Sequence, residues 1–275
     1  MLDSKWRALQ NEAQLAAEQI AHGVSLLGKA CYSQQGRYSQ AFFCLSIGLE
    51  RAGKIIFIAN YAIQNSGKFP TDKLLKDNFG HNLESLLDYA ESVGRNLNPK
   101  RMFPDRPNDL IHRGIEQTIS KFSTKLRYYN LNHLSGQAED NTNPINLWWE
   151  LVATPIFKRH YSLKQQRKNA QLSALMEDIL GNDTHVMQGT ETGEHLDSIY
   201  KCFSHSCTTK VVQKYSQFYT LQLARWLAST IRELSFYGAY ELRLEAILGI
   251  EEPFNIFFNE DSMLRSRRTW SIYNP

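Results

Sequence analysis

The stretch AFFCLSIGLERAGKIIFIANYAI, Ala41 to Ile63, is the most apolar run of the chain, and its reading decides the fold. It is long enough to suggest a bilayer span. Yet Glu50, Arg51 and Lys54 stand at its middle, where charge is costly in lipid. A helix buried in protein accommodates them better. Glu50 and Lys54 are four residues apart and so pair on one helical face. With Arg51 they are expected to form a buried or half-buried ion network. The run therefore predicts the central helix of an all-α protein, with no membrane anchor.

The flanking sequence continues that pattern. Upstream, Trp6, Leu9, Ala13, Ala16, Ile20 and Val24 recur at steps of three and four, which predicts a helix over residues 4–30. SQQGR breaks it. The central helix covers residues 38–65 and stops at NSGKFP, where Gly67 and Pro70 forbid continuation. In KDNFGHNLESLLDYAESVG, residues Leu83, Leu86, Leu87, Ala90 and Val93 form one face, with Asn82 or Asn78 as its cap. A proline-rich loop follows. A fourth helix spans residues 109–134, with Leu110, Ile111, Ile115, Ile119, Phe122 and Leu126 inward and Gly136 as its stop. SGQAEDNTNP is the most polar stretch and the candidate boundary between residues 1–136 and 137–275, two parts that can also pack as one domain.

Beyond the boundary, INLWWELVATPIF reads as a buried helix bent or broken at Pro155. Leu172, Leu175, Ile179 and Leu180 mark an amphipathic helix. GNDTHVMQGTETGEH reads as a flexible surface loop. A long helix over residues 209–248 carries Val212, Tyr215, Tyr219, Leu223, Trp226, Leu227, Ile231 and Leu234. The tail holds Phe254, Ile256, Phe257 and Phe258, too apolar to hang free, so it packs on the body or on a partner. The long helix and the tail are the expected interface with a protein partner. Strand signals are scarce, and no internal repeat or low-complexity tract is present.

Composition bounds the chemistry. The chain has 275 residues, 42% of them hydrophobic, enough for a core. A net charge of +3 is too small for a dedicated nucleic-acid binder, so any basic surface is local. The start MLDSKWRALQ has no signal-peptide pattern. With Cys31, Cys44, Cys202 and Cys207 read as reduced thiols, a cytoplasmic location is expected. CFSHSC (Cys202, His205, Cys207) matches no zinc spacing and reads as structural or surface residues. Phosphate-loop, dinucleotide, Gly-x-Ser-x-Gly and His-Glu-x-x-His motifs are all missing, which disfavours nucleotide hydrolysis, dehydrogenase and zinc-protease chemistry.

The stretch KLRYYNLNHLSG, Lys125 to Gly136, gathers Arg127, Tyr128, Asn130, Asn132 and His133 at a helix end. Six residues on a straight helix are about 120° apart, so Arg127 and His133 meet only if the last turn unwinds; Asn130 lies three from each. A histidine there sits near the negative helix end, which favours its protonated form. The solvated alternative is a capping pair. A second Arg-x5-His, Arg106 to His112, contains Pro107 and straddles a loop, and His112 and Arg113 read as surface residues at a helix start. Arg265, Arg267 and Arg268, beside Trp270 and Tyr273, combine basic and aromatic side chains in a way that suits single-stranded RNA.

Taken together, LSIGLERAGKIIF on the second helix, FGHNLESLL opening the third and Arg127-x5-His133 late in the fourth resemble the HEPN family of helical bundles. The resemblance covers residues 4–136, about half the chain. It implies an all-α antiparallel bundle and a metal-independent endoribonuclease without cofactor. It implies that Arg127 holds the scissile phosphate, that His133 serves as acid or base, and that Asn130 or Asn132 orients the phosphate or the histidine. The RNA 2′-hydroxyl would attack phosphorus, Tyr128 would pack or stack on a base, and two motifs would meet across a homodimer. A toxin–antitoxin or phage-defence setting follows from the same resemblance. The alternative is a non-catalytic helical module that binds protein or nucleotide.

Overall fold

The structure, a computed structural model, describes residues 4–97, 102–136, 142–181 and 184–271. Part of the candidate boundary, Gln137 to Asn141, and the aromatic Tyr273 lie outside the described residues.

The architecture is all-α. Helix α1 (Ser4–Leu27) lies along α2 (Gly36–Gln64), the helix of the apolar run. They approach closely because small residues line the seam: Ala13, Ala16, Ala17, Ala21 and Gly23 on α1 meet Ala41, Gly48 and Ala52 on α2, all buried. A Cβ on Gly48 would sit 2.8 Å from the backbone nitrogen of Ile20 and 3.0 Å from the carbonyl of Ala16. A short α3 (Asp72–Asn78), capped by Thr71, follows; its polar sequence gave no periodicity to read. Asn82 caps α4 (Leu83–Asn96), accepting from the Ser85 N–H. Asp109 caps α5 (Leu110–Lys121). Leu110 nevertheless faces solvent, contrary to its expected inward position, because it sits in the first turn beside the cap.

The expected fourth helix is divided. After α5 a π turn, Phe122–Leu126, takes in extra residues, Arg127 and Tyr128 form a turn, and α6 (Tyr129–Leu134) restarts on a new axis. The same device answers Pro155. Between α7 (Pro144–Trp148) and α8 (Thr154–His160) runs a second π turn, Trp149–Ala153. The wider turn absorbs the missing proline N–H without breaking the helix.

Helix α9 (Leu163–Leu180), with a Ser162–Gln165 capping box, packs on the long α10 (Ile199–Phe236). Leu172, Leu175 and Ile179 face solvent, Ile179 at 60%. The amphipathic stripe is present, but nothing among the described residues covers its apolar side. The expected surface loop carries a hairpin, β1 (Gln188–Gly189) with β2 (His195–Leu196), fixed by the buried Glu191. Helix α10 starts ten residues before its expected position, at the Ser198 cap, and leaves α geometry after Phe236 through a π turn. Its stripe of Val212, Leu223, Trp226, Leu227, Ile231 and Leu234 is buried against α1, α2 and α5.

The C-terminal segment wraps back over α1. Trp6 and Gln10 donate to the carbonyl of Leu248, and Ser25 is bonded both ways to the backbone of Trp270, which lies 3% exposed. Phe254, Phe257 and Leu264 (the last on α11, Asp261–Ser266) join the same core cluster as α1 and α2, so one core unites both parts of the chain. No helix among the described residues is long and apolar enough to cross a membrane.

Replacing Gly48 by Val should cost on the order of 3 kcal/mol, because the added atoms meet the backbone of Ile20 and Ala16 as well as the buried Ile20 side chain. The chemical denaturation midpoint should fall accordingly, while Gly36→Ala, at a position open to solvent, should leave it nearly unchanged.

Candidate functional site

Helix α2 leaves one stripe at the surface at helical spacing, apolar at Phe43 and Ile47 and charged at Glu50, Arg51 and Lys54. Two cavities open along it, and a third adjoins them at His81 and Thr124. The first, about 340 Å³, is lined by Gln35, Gly36 and Ser39 at the start of α2 and by Arg127, Tyr128 and Asn130. The second, about 660 Å³, is lined by Glu12, Glu50, Arg51, Lys54, His81 and Arg127, with Ser123 and Thr124 from the π turn. The third, about 540 Å³, holds His81, Glu84, Lys121, Thr124 and Lys125. Arg127 is shared by the first two and His81 by the last two, so the three form one trough.

The π turn sets this arrangement. By ending α5 at Lys121 and turning the chain at Arg127, it directs the guanidinium back over α2, where it lies 5.1 Å from the centre of the Phe43 ring. No carboxylate among the described residues pairs with Arg127. Tyr128 is 60% exposed beside it. His133 is placed differently. It is exposed on α6, stacked on Tyr129 at 6.0 Å, and lines none of the three cavities. Asn132 is half-buried and stands outside the trough, while Asn130 is inside it. The structure thus brings together Arg127, Tyr128 and Asn130 and leaves His133 and Asn132 apart from them.

The ion network expected on α2 is present and larger than expected. Glu50, 17% exposed at its side chain, accepts from Lys54 Nζ at 2.7 Å and lies 3.0 Å from His81 Nδ1. Arg51 pairs with Glu12 of α1. His81 itself is 83% exposed. It precedes the Asn82 cap, and the only hint of its partner in the sequence was the position of Glu50, thirty-one residues earlier.

Arg265, Arg267 and Arg268 lie elsewhere. Arg265 rests 5.3 Å from the Phe218 ring and Arg267 4.8 Å from that of Trp270. The backbone carbonyl of Arg268 accepts from Gln217. Trp270 is buried, so it cannot stack on a base as its sequence neighbourhood suggested.

The second Arg-x5-His is structural. Arg106 is held by Glu116, Asp88 and Glu91 and lies 5.7 Å from the Trp226 ring. Burial raises the Glu116 carboxyl above its usual range despite this guanidinium. His112 is not a surface residue: it is 5% exposed, with Nε2 3.0 Å from Gln222 of α10 and Nδ1 3.0 Å from Asp109. Around it, Arg159 pairs with Asp109 and donates to Tyr219, His160 stacks on Tyr215 at 3.6 Å, and Gln222 and Arg225 reach Asp261. Burial pushes the His112 imidazole below its ordinary value, against the pull of Asp109. His160 moves the same way, by burial and by the charge of Arg159.

His205, read from CFSHSC, pairs with the wholly buried Glu191 at 2.6 Å; Cys202 and Cys207 are free thiols. No group of three His, Cys, Asp or Glu among the described residues is placed to hold a metal. No protein-family model, curated protein or solved structure matches the chain.

His112 gives stability a pH dependence. Its folded value is depressed below the unfolded value of about 6.5, so the unfolded chain binds a proton first as pH falls. The stability is present above about pH 6.5 and is lost on acidification toward the folded value. The urea midpoint should therefore drop between pH 7.5 and 5.5, and His112→Gln should flatten that slope.

Proposed function

We propose that this chain is a metal-independent endoribonuclease of the HEPN type, acting in the cytoplasm as a homodimer in a toxin–antitoxin or phage-defence setting. The observation that carries the reading is Arg127, an exposed guanidinium with no carboxylate partner among the described residues, at the junction of two cavities. A planar, permanently charged fork suits a phosphodiester and the charge that develops on it. Tyr128 offers an exposed ring for a base and Asn130 an amide for a phosphate or a base edge. The RNA 2′-hydroxyl attacks the adjacent phosphorus, leaving a cyclic phosphate and a free 5′-hydroxyl.

His133 serves in this reading as the acid for the leaving oxygen. It belongs to a short helix whose Leu131 and Leu134 are 63% and 83% exposed. That apolar surface supports a second copy seating there and bringing His133 to the trough of its neighbour. Arg265, Arg267 and Arg268 add a separate basic surface for RNA flanking the site. The second reading is a non-catalytic helical module that binds protein or nucleotide; it is favoured by the stacking of His133 on Tyr129, away from Arg127.

Purified protein incubated with a mixed RNA pool, with and without chelator, tests the reading. Cleavage should persist in chelator and leave cyclic phosphate ends. Arg127→Ala should slow it at least about 100-fold, and His133→Ala should also slow it. Equal cleavage by all three proteins, or none by any, would leave the binding module.

A further inference from the structure

Within one chain, the imidazole that shares a cavity with Arg127 is His81, not His133. Its geometry is that of an oriented base. The Glu50 carboxylate lies 3.0 Å from Nδ1. A carboxylate only accepts, so Nδ1 carries the proton and Nε2 keeps a free lone pair. Glu50 is itself fixed: it sits on the rigid centre of α2, largely buried, and accepts a second bond from Lys54. His81 precedes the Asn82 cap of α4, so its backbone is held by a helix start rather than by a free loop. The ring is exposed to the cavity and no other partner engages it among the described residues. Around it, the cations Arg51, Lys54 and Arg127 outnumber the carboxylates Glu12 and Glu50, both of which are already paired.

We propose that His81 is the general base of this site, with Glu50 as its positioning residue, and that the substrate is single-stranded RNA lying along the trough between Lys121 and Tyr128. This rests on the nuclease reading above. His81 Nε2 takes the 2′-hydroxyl proton as the 2′-oxygen bonds to phosphorus. The bond from phosphorus to the 5′-oxygen breaks, and that oxygen takes a proton from the His133 imidazolium or from water. His81 then returns its proton to solvent. Seven residues of α2, about 10 Å at the helical rise, separate Phe43 from Glu50. Arg127 must therefore leave the Phe43 ring to share a phosphate with His81. A duplex does not suit the site, because the attacking and stacking groups need a splayed strand.

The test is single-turnover cleavage of a labelled single-stranded RNA and of its duplex, by the full chain and by variants. Because His81 is exposed, His81→Ala should fold normally. It should slow cleavage by about 10²–10⁴-fold, the range for a lost general base, and added imidazole should restore part of the rate. Imidazole should not rescue Arg127→Ala. Glu50→Gln should retain some activity, lowering the rate at saturating RNA while leaving the RNA concentration at half-saturation nearly unchanged, as loss of ring positioning without loss of binding requires. The duplex should be cut far more slowly. Wild-type rates in His81→Ala beside losses in Arg127→Ala and His133→Ala would overturn this inference and leave the nuclease reading standing. Duplex cut as fast as single strand would overturn the substrate assignment. Absence of cleavage by the wild type would end both.

Discussion

Everything in this molecule is hung on the seam between α1 and α2, where glycines make room for Ile20 and Leu45 and let the two backbones come close. Such contact fixes the register of both helices, because a backbone neighbour cannot move aside. It also decides which side of α2 is left over. With one face closed by α1 and another by α4 and α10, the residues of the remaining stripe, from Phe43 to Lys54, stay at the surface. A trough rather than a core position for Glu50, Arg51 and Lys54 is thus a consequence of packing that occurs on the far side of the helix.

The π turns convert that stripe into a site. One places Arg127 over α2 instead of continuing along α5, and after the turn at Arg127 and Tyr128 the short α6 holds His133 stacked on Tyr129, outside the cavities. The motif is contiguous in sequence and divided in space. What lies near Arg127 is drawn from four elements: Glu12 of α1, the α2 stripe, the turn before α4 and the π turn itself. None of these is within forty residues of all the others, yet each belongs to or adjoins a helix of twelve residues or more.

The sequence was most legible where local rules act alone. The helical class, the central position of the apolar run, the Asn82 cap and the Glu50–Lys54 pair all follow from spacing within a turn or two. Reading failed where the deciding neighbour is remote. Leu172, Leu175 and Ile179 have a core-like pattern but no covering element among the described residues. His112 looked like a surface residue because nothing near it announces Gln222, 110 positions on, or the aromatic Tyr219 at its ring edge. Glu191, in a stretch with the composition of a loop, is buried because His205 and Tyr38 receive its carboxylate. The division of the fourth helix was equally hidden, since a π turn has no distinctive residue pattern.

The strap that returns across α1 bears on how the chain is made. Ser25 waits for Trp270, 245 positions later, to complete its bonds. At about 5–20 residues per second, a ribosome needs roughly 12–50 s to deliver that partner. Throughout that interval the nascent chain holds a finished pair of N-terminal helices whose outer apolar surface is uncovered.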